Sequence, residues 1–319
     1  MKAGLLVNPR SGKHSGRGLS LVEKLKGRCG SRIAVLDQFH ALPATLRELA
    51  GAGVDALFIS SGDGTVQAIQ TELAERNPFT ALPDLALLPH GTTNLTANEI
   101  GFNERNLDRL ASLFTSDSPP VPAIEERPTL RILNPGDGQV RHGMFLGAGA
   151  IPRAAALCQE QFNKRGIKGD WATFATLAAG IIGSFGRAGG KDEAGRIVRP
   201  YPMHATTEQG TLVSGDQLLL LATTLNRLIL RSRPFWGGKT APIRTTAIGY
   251  PPPSVARWLL PALYGGEARR MPPSCISRSA ERIEIETRSP LLIDGEFFDP
   301  PAEGPLKVET GPVFRYLRA

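Results

Sequence analysis

The chain has 319 residues, 41% hydrophobic and 21% charged, enough for two domains with separate cores and unlike a disordered or collagen-like chain. Lys and Arg number 37 against 30 Asp and Glu, a net charge of +7 that favours polyanionic partners such as nucleotides, nucleic acid or an anionic membrane face, with a surface that only aids solubility as the alternative. Its 3 cysteines, Cys29, Cys158 and Cys275, are odd in number and far apart, which excludes a disulfide framework and a CxxC metal knuckle and fits a reducing compartment.

The opening MKAGLLV has one basic residue and a short apolar run that meets Asn8 and Pro9 at once, a pattern for a first strand and not for a signal peptide. Short apolar runs then alternate with helical patterns: AGLLV with GRGLSLVEKLKG, RIAVLDQF with LPATLRELAGAG, DALFIS with GTVQAIQTELAERN, and LALLPHG with LTANEIG and NLDRLASLF. This alternation predicts an N-terminal α/β domain over residues 1–120, with a mostly parallel sheet and helices on both faces. In such sheets ligands sit beyond the carboxyl ends of the strands.

The proline-rich and charged stretch from Thr115 to Pro128 reads as a linker. Beyond it TLRILN, RHGMFLG, YPMHATTEQ, QLLLLATTL, ERIEIET and SPLLIDGEFF are strand-like. They predict a C-terminal antiparallel β-sandwich over residues 121–300, with a helical insertion at IPRAAALCQEQFNKRG and the apolar Trp171–Gly186. The segment PSVARWLLPALYGG is helix-like. No apolar stretch reaches the roughly 20 residues that span a bilayer, so membrane contact is expected to be peripheral. The basic balance and the region of Phe235, Trp236 and Trp258 are its candidate interface, with core packing of these aromatics as the competing reading.

Three polar loops fall at expected strand ends. In the first, Asn8 to Lys13, the amides with Ser11, Gly12 and Lys13 suit a phosphate at a helix start, although a Walker A loop would need glycine at Val7 and Ser or Thr at His14. A simple Pro-Ser-Gly turn is the alternative. The second, Ser61, Gly62, Asp63, Gly64 and Thr65, lacks the third glycine of a dinucleotide fingerprint because Gln67 stands there. Its glycines allow close approach or positive φ, Thr65 suits a helix cap or a phosphate, and Asp63 suits the metal of a magnesium nucleotide or the reacting hydroxyl. The third repeats the device with Gly91, Thr92, Thr93 and Asn94. Near the end, Asp294 and Glu296 flank Gly295 in a hairpin-like turn, which is either an ordinary Asp-Gly hairpin or the source of a general base, with Asp294 also a candidate metal ligand. The histidines His14, His40, His90, His142 and His204 have no ligand spacing, and no G-x-S-x-G elbow is present.

Taken in order, NPRSG, SGDGT, PHGTTN and IDGE resemble the catalytic region of the diacylglycerol kinase, sphingosine kinase and bacterial lipid kinase family, and MFLGAGAIPRAAAL resembles its second domain. The resemblance implies an ATP-dependent kinase with a role in phospholipid biosynthesis, a cleft holding ATP and Mg2+ between a nucleotide domain and a lipid domain, and residues 301–319 returning to the first domain. It matches Asn8 and Gly12 to the first nucleotide loop, Ser61–Thr65 with Gln67 to the glycine-rich phosphate loop, and Thr92 to the third loop. Glu296 matches the proton acceptor, and Asp63 the aspartate with that role in the sphingosine branch. The implied partner is a lipid at a membrane surface, reached by a cytoplasmic protein at the inner face. Nucleic acid is not among the implied partners, and a homodimer is admitted. Two departures stand out: Leu95 replaces an aspartate and Asn98 an arginine common in bacterial members, and KTAPIRTTAIGYPPP lacks the acids that hold a structural magnesium in some of them. The competing readings are an NAD kinase or phosphofructokinase relative acting on a soluble substrate, and a lipid- or nucleotide-binding protein without turnover.

Overall fold

The structure, a computed structural model, describes residues 1–11, 15–91, 94–116, 122–165 and 199–319. Contacts divide the chain into one unit of Met1–Pro128 with Pro312–Ala319 and another of Thr129–Gly311.

The first unit runs β1 (Ala3–Val7), α1 (Ser15–Leu25), β2 (Ile33–Val35), α2 (Leu42–Gly51), β3 (Ala56–Ser61), α3 (Asp63–Arg76), β4 (Asp84–Pro89), α4 (Leu95–Ile100) and α5 (Leu107–Thr115). β1 pairs in parallel with β2 and β3, and β3 with β4. The last strand of the chain joins the far side in parallel, with Tyr316 opposite Leu85 of β4. Because helices cover both faces, β1 and β3 are buried along their whole lengths and their sequences run apolar without alternation. On one face Leu5, Val7, Phe58 and Leu88 pack with Leu21 and Leu25 of α1 and Leu110, Leu113 and Phe114 of α5. Phe58 anchors this layer, edge-on to Phe102 at 5.4 Å and tilted against Phe114 at 4.9 Å. Asn106 starts α5 by accepting from the amides of Asp108 and Arg109 at 2.9 and 3.3 Å.

The second unit follows with β5 (Ala123–Leu133), β6 (Arg141–Gly143), β7 (Phe145–Gly149), α6 (Ala150–Arg165), β8 (Tyr201–Thr207), β9 (Gly210–Thr223), β10 (Ile243–Gly249), α7 (Val255–Tyr264), β11 (Cys275–Ala280), β12 (Arg282–Thr287), β13 (Leu291–Ile293), β14 (Glu296–Phe298) and β15 (Leu306–Arg318). The strand pairings described within this unit are antiparallel. The long strand β9 organises it: residues 210–217 pair with β8, whereas residues 219–223 pair with both β7 and β10. Gly215, at φ 104°, lies within the stretch paired with β8, opposite Met203. One core draws Leu146 and Ala148, Met203 and Ala205, Leu218 and Leu220, Ile243 and Ala247, Ile283 and Ile285, and Leu306 and Val308 from these strands.

The parallel α/β unit and the antiparallel β unit are those read from the sequence, and α6 is the described part of the helical insertion. The remainder of that insertion, Trp171–Gly186, lies outside the described residues. Composition puts domain divisions at 120 and 300, whereas contacts put them after Pro128 and Gly311. β5 and β15 each run through a boundary as continuous strands, and the divisions fall inside them at Pro128 and at the Gly311–Pro312 pair. All three cysteines are free and buried. Among the described residues no helix is long and apolar enough to cross a membrane.

The C-terminal return is a packed element of the first unit. Phe314 and Tyr316 are wholly buried, and Gln70 Nε2 donates to the Tyr316 hydroxyl at 2.7 Å. Tyr316→Ala is expected to destabilise the chain by about 3–5 kcal/mol and Tyr316→Phe by about 1 kcal/mol, measured by chemical denaturation.

Candidate functional site

The first two strand-end loops are stitched together by Asn8. Its amide donates to the Ser60 carbonyl at 3.0 Å, and its carbonyl accepts from Ser11 N at 3.3 Å and Ser11 Oγ at 2.8 Å. Its side chain takes the Arg10 amide at 2.9 Å and donates through Nδ2 to Thr65 Oγ1 at 2.8 Å. Asn8 and Ser11 therefore shape the loop, an Asx turn held against the start of α3.

The second loop differs from its sequence reading in one respect. Helix α3 begins at Asp63, with extended Gly62 as its N-cap and no side-chain cap. Thr65 is thus already inside the first turn, and its hydroxyl accepts from Asn8 instead of capping the helix. A long helix whose first amides have no side-chain cap offers N–H groups and a positive dipole end to an anion.

The glycines serve close approach and not positive φ. A Cβ on Gly91 would lie 2.4 Å from Gly62 Cα, and one on Gly62 would lie 3.4 Å from the Ser11 carbonyl. Gly62 is therefore the point on which all three loops converge. Sequence reading missed two supports for this convergence. Ser60 Oγ and His90 Nδ1, both buried, sit 2.8 Å apart and join the ends of β3 and β4. A Cβ on Gly18 of α1 would lie 2.1 Å from Ser60 Oγ, so α1 closes on β3 only with glycine there. The visible signal was a glycine inside a helix, which costs helix stability and calls for a packing reason.

In the third loop, the helix-start amides expected to meet phosphate are taken by a side chain. Asp63 Oδ2 accepts from Leu95 N at 2.9 Å and Oδ1 from Thr96 N at 3.1 Å. The carboxylate that opens α3 thereby caps α4. Asn94, buried at φ 51°, folds back to accept from Gly91 N at 2.7 Å and donate to Gly91 O at 2.9 Å, so it clasps the loop and does not present its amide to a ligand. Leu95 is buried, and its backbone amide is one of the two that the Asp63 carboxylate accepts. Burial pushes the Asp63 carboxyl up to about 6, while the amides of Leu95 and Thr96 pull the other way. The Thr96 side chain also donates to this carboxylate, beside the two amides.

Gln67, one turn further along α3, is 3% exposed, and its Nε2 has no hydrogen-bond partner among the described residues. A buried amide donor left unsatisfied costs free energy unless something outside the chain completes it. Ser61 is buried, and Gly64 is the half-buried second residue of α3. Gly12, Lys13 and Thr92 lie outside the described residues.

Asp294 and Glu296 belong to the second unit, at the hairpin between β13 and β14. Asp294, 4% exposed, accepts from Met144 N at 2.8 Å through Oδ2 and from Phe145 N at 3.0 Å through Oδ1. This carboxylate fixes the β6–β7 junction against the turn. Glu296 is exposed and faces Ile293 across the hairpin. Among the described residues no cluster of three or more His, Cys, Asp or Glu forms a metal cage.

A parallel sheet with a glycine-lined, uncapped helix start beyond its strand ends is the open α/β class of ligand-binding fold. Residues 2–124 match the diacylglycerol kinase catalytic domain family. No curated protein matches the chain in sequence. Three solved structures from Bacillus anthracis str. Sterne, of diacylglycerol kinases or candidates for that activity, share its fold. One has 17% identity and a TM-score of 0.65, covering 99% of this chain and 96% of its own. The second gives 17%, 0.62, 100% and 97% on the same measures, and the third 17%, 0.59, 99% and 96%.

Gly91→Ala is expected to force the Gly62 and Gly91 backbones apart and destabilise the chain by about 1–3 kcal/mol in denaturant titration, with weaker binding of any anion at the start of α3. Asn8→Ala, which leaves that contact intact, is expected to cost about 1 kcal/mol.

Proposed function

We propose that this chain is an ATP-dependent lipid kinase, transferring the γ-phosphoryl group of ATP to the hydroxyl of a diacylglycerol-like or sphingoid-like lipid. The observation that carries this reading is the convergence of the three loops on Gly62 beside the uncapped start of α3, within the span that matches the kinase catalytic family.

In this reading the first-turn amides of α3 receive the phosphate oxygens, together with Ser61, Gly62, Gly64 and Thr65. The unsatisfied Gln67 amide supplies one more donor on the same helix. Asn8, Ser11, Gly91 and Asn94 hold the loops so that this cradle is formed before the nucleotide arrives, which lowers the cost of positioning. Magnesium fits the donor set only in company with nucleotide phosphates, because Asp63 is the one carboxylate in these loops. When bound, that ion would neutralise charge on the transferring group. The lipid hydroxyl oxygen attacks phosphorus in line, the bond from the γ-phosphorus to the bridging oxygen breaks, and ADP leaves. The hydroxyl proton passes to a carboxylate, Glu296 by the family resemblance.

Glu296→Gln is expected to lower kcat by about 10²-fold or more in a labelled γ-phosphate transfer assay while leaving ATP binding unchanged. Asp63→Asn should lower both, since its amide group also meets the α4 amides with a donor. Full turnover in both variants would refute these roles. Because Asp63 must be ionised to act and its carboxyl lies near 6, kcat/KM should fall below about pH 6. The corresponding limb in kcat should lie at lower pH, since a bound cation favours the ionised carboxylate, and the pH profile checks both.

A further inference from the structure

Between Asp216 and Glu267 the chain runs 50 residues without an acidic side chain, while carrying Arg227, Arg231, Arg233, Lys239, Arg244 and Arg257. Part of this stretch gathers around α7. Arg257, Leu260 and Tyr264, spaced i, i+3 and i+7, form one exposed stripe of the helix, with Leu260 67% and Tyr264 49% exposed. The Tyr264 hydroxyl donates to the Leu230 carbonyl at 3.2 Å, and Arg233 N donates to the Leu263 carbonyl at 2.7 Å, so the loop 229–233 lies against the end of this helix. Leu230 is itself 42% exposed, flanked by the exposed Arg231.

The backbone of that loop is unusual. Leu230 and Arg231 both adopt left-handed conformations, at φ 58° and 57°, which side chains larger than Asn avoid. No burial of Leu230 offsets this cost; the strained turn instead turns an apolar side chain outward among arginines. Strain retained at an exposed position is a mark of function and not of packing.

The aromatic anchors expected from sequence are not on this surface in that role. Phe235 is 5% exposed, and Trp236 and Trp258 are half-buried beneath arginines, with Arg269 4.9 Å from the Trp236 ring centre and Arg257 5.1 Å from that of Trp258. These rings support the surface from below.

We propose that Leu230, Leu260 and Tyr264, ringed by Arg231, Arg233 and Arg257, form a docking surface for an anionic lipid bilayer. Three apolar side chains enter the interface between headgroups and acyl chains, and the guanidinium groups meet lipid phosphates. The acid-free composition decides for a bilayer of negative charge: a neutral one gains nothing from the arginines, and an acidic protein surface gives the outward leucines no apolar depth to enter. This surface rests on the lipid-kinase reading only in that such an enzyme needs one; its geometry stands independently.

The test is co-sedimentation of the full chain with vesicles of phosphatidylcholine containing about 30 mol% phosphatidylglycerol, against pure phosphatidylcholine. Binding is expected to the anionic vesicles only, and to weaken at least about tenfold as salt rises from about 0.1 M to about 0.5 M. Arg231→Gln, Arg233→Gln and Arg257→Gln together, and separately Leu230→Asn with Leu260→Ser, are each expected to reduce it at least about tenfold. Leu230→Asn is compatible with the left-handed backbone, and circular dichroism verifies the folding of both variants. Equal binding by the native chain to both vesicle types, no binding to either, or undiminished binding by both folded variants would overturn the proposal. Vesicle binding without phosphorylation of any lipid would instead refute the kinase reading and leave this surface standing.

Discussion

The first unit depends on a contact with no side chains in it. Gly62 and Gly91 bring the ends of β3 and β4 so close that a single methyl group on Gly91 would drive into Gly62 Cα. Everything polar nearby is arranged to hold that contact from the flanks: Asn8 reaches Thr65 from one side, Ser60 meets His90 beneath it, and Asn94 folds the third loop back onto Gly91. None of these bonds exceeds about 1 kcal/mol net by the usual reckoning, and their value lies in removing freedom from the loops before a ligand must do so.

In the proposed kinase reading, Asp63 links this scaffold to chemistry. As a cap it satisfies two amides at the start of α4, and as a half-buried acid it is held near neutrality by the same surroundings. A carboxylate that serves only as a cap is stabilised as an anion by its amides; here desolvation outweighs them, so the folded state holds a group that a nearby cation would favour. That balance explains how Leu95 is tolerated. An aspartate at 95 would place a second carboxyl beside Asp63 and raise the cost of ionising either, whereas the leucine amide steadies the first without adding charge.

Strand and helix alternation in the first third was legible because each apolar run is buried on both faces and each helix carries one apolar stripe, as β1, β3 and α5 illustrate. The positions of the strand-end loops followed from that alternation. The division of labour within them did not, since Asn8, Ser11, Thr65 and Asn94 are all residues that bind phosphate or brace loops equally well, and only long-range bonds such as Asn8 to Thr65 separate the two uses. Asp294 was obscured for the same reason: an Asp-Gly turn is visible locally, but the amides of Met144 and Phe145 that occupy it lie about 150 residues earlier. The continuous strands β5 and β15 hid the unit boundaries, because a strand carries the same pattern whichever core it enters.

The two carboxylates of the terminal hairpin then acquire distinct roles from burial alone. Asp294 is enclosed, and both of its oxygens accept from amides of the β6–β7 junction, which fixes the turn of Gly295 and with it the direction in which β14 starts. Glu296, at the first position of β14, is exposed and inherits that direction. A general base needs a defined position and access to its substrate, and one side chain seldom has both. On the proposed reading of Glu296 as the general base, a buried acid fixes the turn and an exposed acid, two residues on, is the one open to solvent.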